Sequence, residues 1–267
     1  MSNTRLQKLT MDHEKLFIPF IMAGDPTPDL TIELALLLEE SGANILEIGV
    51  PYSDPLADGP VIQQSALRAL DHGMNLKKAI SLVSKMRNRG LTIPVIIFTY
   101  YNPVLQLGEE NVLKLMKEND IDGILIPDLP YEESRSLAKR CDDENMPLIS
   151  LVAPTSNKRI EQIAKVANGF LYCVSSLGVT GVRNEFNENI YEFLQEVRKH
   201  SNVPVAVGFG ISSSQQVKQL QPYCDGIIVG SALVKMIESK KTEILDSTTK
   251  EKAFLEIKTF VQTLVSS

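Results

Sequence analysis

Glu47 is a carboxylate inside what otherwise reads as a buried apolar strand, Ile45-Leu46-Glu47-Ile48-Gly49. Taking a charge out of water is costly, so such a group is either satisfied by a polar neighbour or put to use. By strand alternation it shares a face with Ile45 and Gly49. Burial lifts a carboxyl pKa toward neutrality and suits the group to shuttle a proton. On the residues alone, both readings stand.

The strand runs into Val50-Pro51-Tyr52-Ser53-Asp54-Pro55-Leu56-Ala57-Asp58-Gly59-Pro60, a loop stiffened by its prolines and holding two more carboxylates. Asp58 stands at the mouth of a helix-like pattern. It is either a helix N-terminal group or a second acid for chemistry. Asp54 reads as a loop-ordering Asx turn or a surface contact.

Three later strands end in glycine turns: Ser176-Leu177-Gly178-Val179-Thr180-Gly181, Gly208-Phe209-Gly210-Ile211-Ser212 and Val229-Gly230-Ser231-Ala232. Any one alone is an ordinary turn. Together, with Gly230-Ser231 opening a helix, they suit a phosphate held by backbone N–H groups. Phe20, Phe98, Leu125, Tyr172 and Phe209 lie near strand ends and either line a flat apolar pocket or fill the core. Asp128, another strand-end carboxylate, is expected to orient the segment after the second strand or a mobile loop. No Ser/His/Asp arrangement is evident, and no lysine lies mid-strand to form a Schiff base. Cys141, Cys173 and Cys224 are scattered, as are His13, His72 and His200, so no metal site is expected.

These residues need a frame. Strand-like cores begin near Phe17, Ile45, Pro94, Ile124, Leu148, Leu171, Val205 and Ile227, eight in all. Helical patterns separate them at residues 27–41, 75–87, 109–119, 132–144, 157–166, 188–200 and 213–220, and residues 250–265 form a last helix. A weak helix over residues 8–15 is expected to cover one end. Strands with few polar residues imply burial on both faces and parallel pairing. The glycine fingerprint of a doubly wound sheet is missing after the first strand. A single (β/α)8 TIM barrel spanning residues 1–267, with extra N-terminal and loop helices, fits best.

Most strand starts lie roughly 22 to 30 residues apart, as compact βα units require. Two gaps are longer. One holds the Glu47–Asp58 stretch and an extra helix over residues 60–71; the other holds the polar residues 176–189. Barrel sites form from such loops at the C-terminal ends of strands.

The net charge of −6 argues against nucleic acid as the main partner, without excluding a small phosphorylated ligand. No stretch has the apolar length of a membrane span, and the first residues lack a signal-peptide core. A cytoplasmic address is the expectation.

The stretch over residues 46–60 closely resembles the signature of the tryptophan synthase α-subunit family. So do Pro19-Phe20-Ile21-Met22-Ala23-Gly24-Asp25-Pro26, Gly178-Val179-Thr180-Gly181, Gly208-Phe209-Gly210-Ile211 and Gly230-Ser231-Ala232. Ile48 and Tyr52 are conservative variants of positions often Leu and Phe. The resemblance implies cleavage of indole-3-glycerol phosphate to indole and glyceraldehyde 3-phosphate. It casts Glu47 as the acid/base at indole C3 and Asp58 as the partner of the indole N–H. Gly181, Gly208, Gly210, Gly230 and Ser231 would hold the phosphate, and the apolar residues named above would sandwich the ring. Residues 176–189, with Thr180, would form a lid. No cofactor is implied on this chain; pyridoxal phosphate is expected on a β-subunit partner in an α2β2 complex. Pro51, Asp54 and the strand-end loops, including residues 102–107, would meet that partner. Alternatives are a stand-alone lyase, a subunit that only activates its partner, and another phosphate-binding barrel such as a sugar-phosphate isomerase.

Overall fold

The computed structural model describes residues 4–12, 15–154, 157–174, 189–208 and 210–267. Eight parallel strands close into a barrel in chain order. They are β1 (Leu16–Met22), β2 (Leu46–Gly49), β3 (Val95–Phe98), β4 (Gly123–Leu125), β5 (Leu148–Val152), β6 (Leu171–Val174), β7 (Val205–Gly208) and β8 (Gly226–Val229). Closure comes from β1 pairing with β8, with Pro19 opposite Val229.

Among the described residues the helices are α1 (Arg5–Asp12), α2 (Pro28–Glu40), α3 (Pro60–Asp71), α4 (Leu76–Asn88), α5 (Tyr101–Leu107), α6 (Glu109–Glu118) and α7 (Tyr131–Asp143). They continue with α8 (Asn157–Val166), α9 (Asn189–His200), α10 (Ser214–Leu220), α11 (Ser231–Ser239), α12 (Lys241–Leu245) and α13 (Lys250–Val265). None of them is long and apolar enough to cross a membrane.

Local chemistry sets the helix ends. Thr27 caps α2 by accepting from the Leu30 N–H, with Pro28 in its first turn. Asn75 does the same for α4 through Lys78, and Ser213 forms a capping box with Gln216 at α10. The α2 face of Leu30, Ile32, Leu34, Ala35 and Leu38 is buried. At its far end, Gly42 takes a φ of +104°, a left-handed conformation that costs glycine little.

Two elements differ from the sequence expectation. The first helix covers Arg5–Asp12 rather than residues 8–15. Arg5 draws it upstream by pairing with Asp120 and Asp122, each at 2.7 Å. Asp122 is itself buried and also accepts from Arg87 and the Val95 N–H. The second difference is α5, where the sequence pattern suggests only a strand-end loop over residues 102–107. Its first N–H, from Tyr101, is taken by Asp128 Oδ1 at 2.9 Å. Asp128 therefore orients the segment after β3, while the expected lid lies outside the described residues.

Register decides what faces inward. Phe20 lies opposite Glu47, Glu47 opposite Ile96, and Gly49 opposite Phe98. Phe98 lies opposite Leu125, and on the other side Tyr172 lies opposite Ala206 and Val174 opposite Gly208. Parallel partners share a face, so these residues form one inward-pointing set.

Candidate active site

Glu47 sits on β2 and is 1% exposed. Its Oε1 has no hydrogen-bond partner among the described residues. Of the two readings open at the sequence level, a buried acid bonded to a polar neighbour is thus not satisfied at that oxygen. Desolvation pushes its carboxyl up to about 8, so the protonated form prevails at neutral pH.

Asp58 does not cap α3. The N-cap residue is Gly59, with no side-chain cap bond, and Pro60 follows in the first turn. Its backbone carbonyl accepts from Gln63 Nε2 at 2.8 Å, while its carboxylate bonds Tyr100. The Tyr100 hydroxyl in turn accepts from the Ala57 N–H at 3.0 Å. Partial burial lifts the Asp58 carboxyl to about 6, with the Tyr100 bond pulling the other way. At neutral pH it is mostly ionised. The two acids therefore start in opposite protonation states, which is the division acid–base chemistry needs.

Glu47 and Asp58 open into one pocket lined also by Phe20, Ile62, Phe98, Tyr172, Ile228, Gly230 and Ser231. Phe20 meets Phe98 edge to face, ring centroids 5.5 Å apart. A flat aromatic ligand is matched by these walls. At the other side, Gly230 is the N-cap residue of α11 and Ser231 its first residue. That helix start presents N–H groups and the positive end of a dipole. Among the described residues the lining holds no lysine or arginine, so backbone and hydroxyl donors are what it offers an anion.

The remaining expected residues fall elsewhere. Leu125 is fully buried and does not line the pocket. Gly208 lies behind it, where a Cβ would stand 2.5 Å from the Tyr172 hydroxyl oxygen. Gly210 adopts a φ of +81°, and its carbonyl accepts from Gln216 Nε2 in the turn before α10. Thr180, Gly181, Phe209 and residues 176–188 lie outside the described residues. In the loop after β2, Asp54 is exposed and accepts from its neighbour Ser53 Oγ at 2.6 Å. Pro51 is buried in this chain. Leu56, further along the same loop, is 79% exposed.

The sequence pattern does not single out Tyr100, Ile62 or Ile228. Ile62 carries a signal, as an apolar residue in the first turn of the extra helix; Tyr100 carries none, because its partner lies on another strand's loop. Cys141 and Cys224 are buried and unbridged, and burial holds their thiols up to about 12, away from nucleophilic thiolate. No cluster of three or more His, Cys, Asp or Glu suited to a metal occurs among the described residues.

Comparison with known proteins supplies the family. The family model described as "Tryptophan synthase alpha chain" matches residues 6–263. A tryptophan synthase alpha chain from a Geobacillus species is 59% identical over 261 residues, covering 98% of this chain and 99% of the relative. The one from Halalkalibacterium halodurans is 58% identical over 264 residues, covering 99% of this chain and all of its own. Among solved structures, tryptophan synthase of Mycobacterium tuberculosis superposes with a TM-score of 0.85 at 28% identity, covering 99% of this chain and 98% of that one. The α2β2 complex of Pyrococcus furiosus does so with a TM-score of 0.84 at 35% identity, covering 94% and 98%.

Proposed function

Because this chain belongs to the tryptophan synthase alpha chain family, we propose that its Glu47–Asp58 pocket is the seat of the family's lyase reaction. The chain performs the α-subunit step of tryptophan biosynthesis, cleaving indole-3-glycerol phosphate to indole and glyceraldehyde 3-phosphate. The geometry of the pocket supports the following roles for its residues.

Breaking the bond between indole C3 and the side chain needs C3 to be protonated first, since the leaving electron pair would otherwise rest on a ring carbon. Glu47, held protonated by burial, donates that proton. The ring becomes an indolenine carrying positive charge at nitrogen, and Asp58, ionised, accepts the hydrogen bond from its N–H. Glu47, now a carboxylate, takes the proton of the adjacent side-chain hydroxyl. The C–C bond breaks, its electrons restore the indole, and the hydroxyl carbon becomes the aldehyde. Glu47 ends protonated as it began, and the new C3 proton leaves with indole.

Phe20, Phe98 and Tyr172 sandwich the ring, with Leu125 backing Phe98 in register and Phe209 completing the apolar set. Gly230 and Ser231 anchor the phosphate, helped by Gly181, Gly208 and Gly210, and Thr180 belongs to the lid. Barrel residues 1–267 act as one domain. Indole passes to the β subunit of an α2β2 complex, met through the loop carrying Pro51 and Asp54. No cofactor is needed on this chain, pyridoxal phosphate serves on the β partner, and the setting is cytoplasmic.

One observation carries this reading: two carboxylates of opposite charge state and a helix N-terminus share one aromatic pocket. The test is indole release from indole-3-glycerol phosphate with the β partner present. Glu47→Gln and Asp58→Asn are each expected to lose about 10²- to 10⁴-fold in kcat. Near-normal turnover in Glu47→Gln would remove its assigned role, and a wild type that releases no indole would sink the whole reading.

A further inference from the structure

A charge cluster outside the pocket touches no reacting atom. Asp25, in the loop after β1, is 6% exposed, and its carboxylate receives three hydrogen bonds. Arg68 of α3 supplies two, from Nε to Oδ1 at 2.8 Å and from Nη2 to Oδ2 at 2.7 Å. Ser65 Oγ, also on α3, donates to Oδ2 at 2.5 Å. The remaining arm of the same guanidinium, Nη1, donates to Glu238 Oε1 of α11 at 2.7 Å. Near the end of α3, His72 Nε2 lies 2.9 Å from the Pro26 carbonyl oxygen, a second tie to the same loop.

The three elements joined here each carry part of the pocket. β1 carries Phe20; α3 begins at Pro60, two residues after Asp58, and carries Ile62; α11 opens at Ser231. α3 also packs on both β1 and α11. A bidentate guanidinium–carboxylate fork fixes distance and plane together, which a lysine point charge does not. A pair this buried is weak evidence for net stabilisation, because desolvation offsets the Coulomb attraction. Register is what it fixes.

Resting on the reading of the pocket given above, we propose that Arg68 is a positioning residue for the lyase reaction. Through Asp25 and Glu238 it holds the last turn of α3, the helix that the Asp58 loop runs into, against the loop after β1 and the anion-binding helix. Loss of the fork lets Asp58 shift relative to Glu47 while the walls and anchor of the pocket remain.

The test uses the complex with the β partner and compares wild type, Arg68→Lys and Arg68→Met. Turnover is counted per folded molecule, beside an unfolding midpoint. Arg68→Lys is expected to lower kcat about 10- to 100-fold, the range a shift of about 1 Å commands. KM should stay within about threefold, since the binding contacts are kept. Arg68→Met leaves Asp25 short of a cation, so the lysine variant decides if the methionine variant does not fold. In an Asp58→Asn background, measured by single turnover, adding Arg68→Lys should cost nothing further. Normal kcat per folded Arg68→Lys molecule, whatever its midpoint, overturns the proposal. So does a loss that multiplies undiminished onto Asp58→Asn. Failure of the pocket reading itself would look different: no indole from wild type, or normal turnover in Asp58→Asn alone.

Discussion

Glu47 and Asp58 are the same functional group placed in two environments, and the difference shows in stability as well as in chemistry. The folded-state pKa of Glu47 is raised from the ordinary 4.5 to about 8. Between those values the folded chain keeps a proton that the unfolded chain has released. Stability must then fall as pH rises across that window, because the native state binds more protons there. Glu47→Gln removes the titrating group, so its denaturant midpoint should lose part of the wild-type decline between about pH 5 and 8. Parallel pH profiles for the two proteins would show that Glu47 is not held neutral. Glu47 is legible from alternation alone, since a carboxylate on the inward face of an apolar strand is too costly to keep without a use or a partner. Asp58 is not. Spacing places it at a helix start, where capping and catalysis look alike, and the Gly59 cap and the bond to Tyr100, both invisible in the spacing, remove only the capping reading.

At the scale of elements, two strand-end glycines make room for the pocket's rings. A side chain at Gly49 would collide with the Phe20 ring, and one at Gly208 with the Tyr172 ring. Gly208 therefore has a steric reason to be glycine besides any contact to phosphate. Gly208→Ala should turn Tyr172 into the pocket and cut kcat/KM by about 10-fold or more, with the barrel intact by circular dichroism. Wild-type kinetics with an unmoved ring would show that the neighbourhood gives way instead. The strands and the longer helices are readable because periodicity and caps are local signals, as at Thr27, Asn75 and Ser213. α5 is not, since Asn102-Pro103 looks like a turn and its N-terminal acceptor, Asp128, arrives from the loop after β4. The start of α1 is hidden for the same reason, with Arg5 answering to aspartates far along the chain.

At the scale of the whole molecule, the loop after β2 is tied to α5 by Asn102 Nδ2 donating to the Tyr52 hydroxyl at 3.0 Å. Leu56 on that loop is 79% exposed and Leu105 on α5 is 55% exposed. Exposed leucines on two connected active-site loops suit a protein partner. Leu56→Glu is expected to leave the unfolding midpoint of the isolated chain unchanged and to weaken β-subunit binding by more than about 1 kcal/mol, read by titration of the two proteins. Unchanged affinity would take this loop out of the interface. The closed barrel carries a further consequence, in the order of synthesis. Pro19 of β1 finds its partner Val229 on β8 only after roughly 200 more residues have been made, which at about 5–20 residues per second is about 10–40 s. Until then one edge of β1 presents unpaired N–H and C=O groups. On a polysome, where identical nascent chains stand side by side, the register that closes the barrel within one chain is also open to β1 of one chain and β8 of its neighbour, with the covalent link favouring closure within the chain.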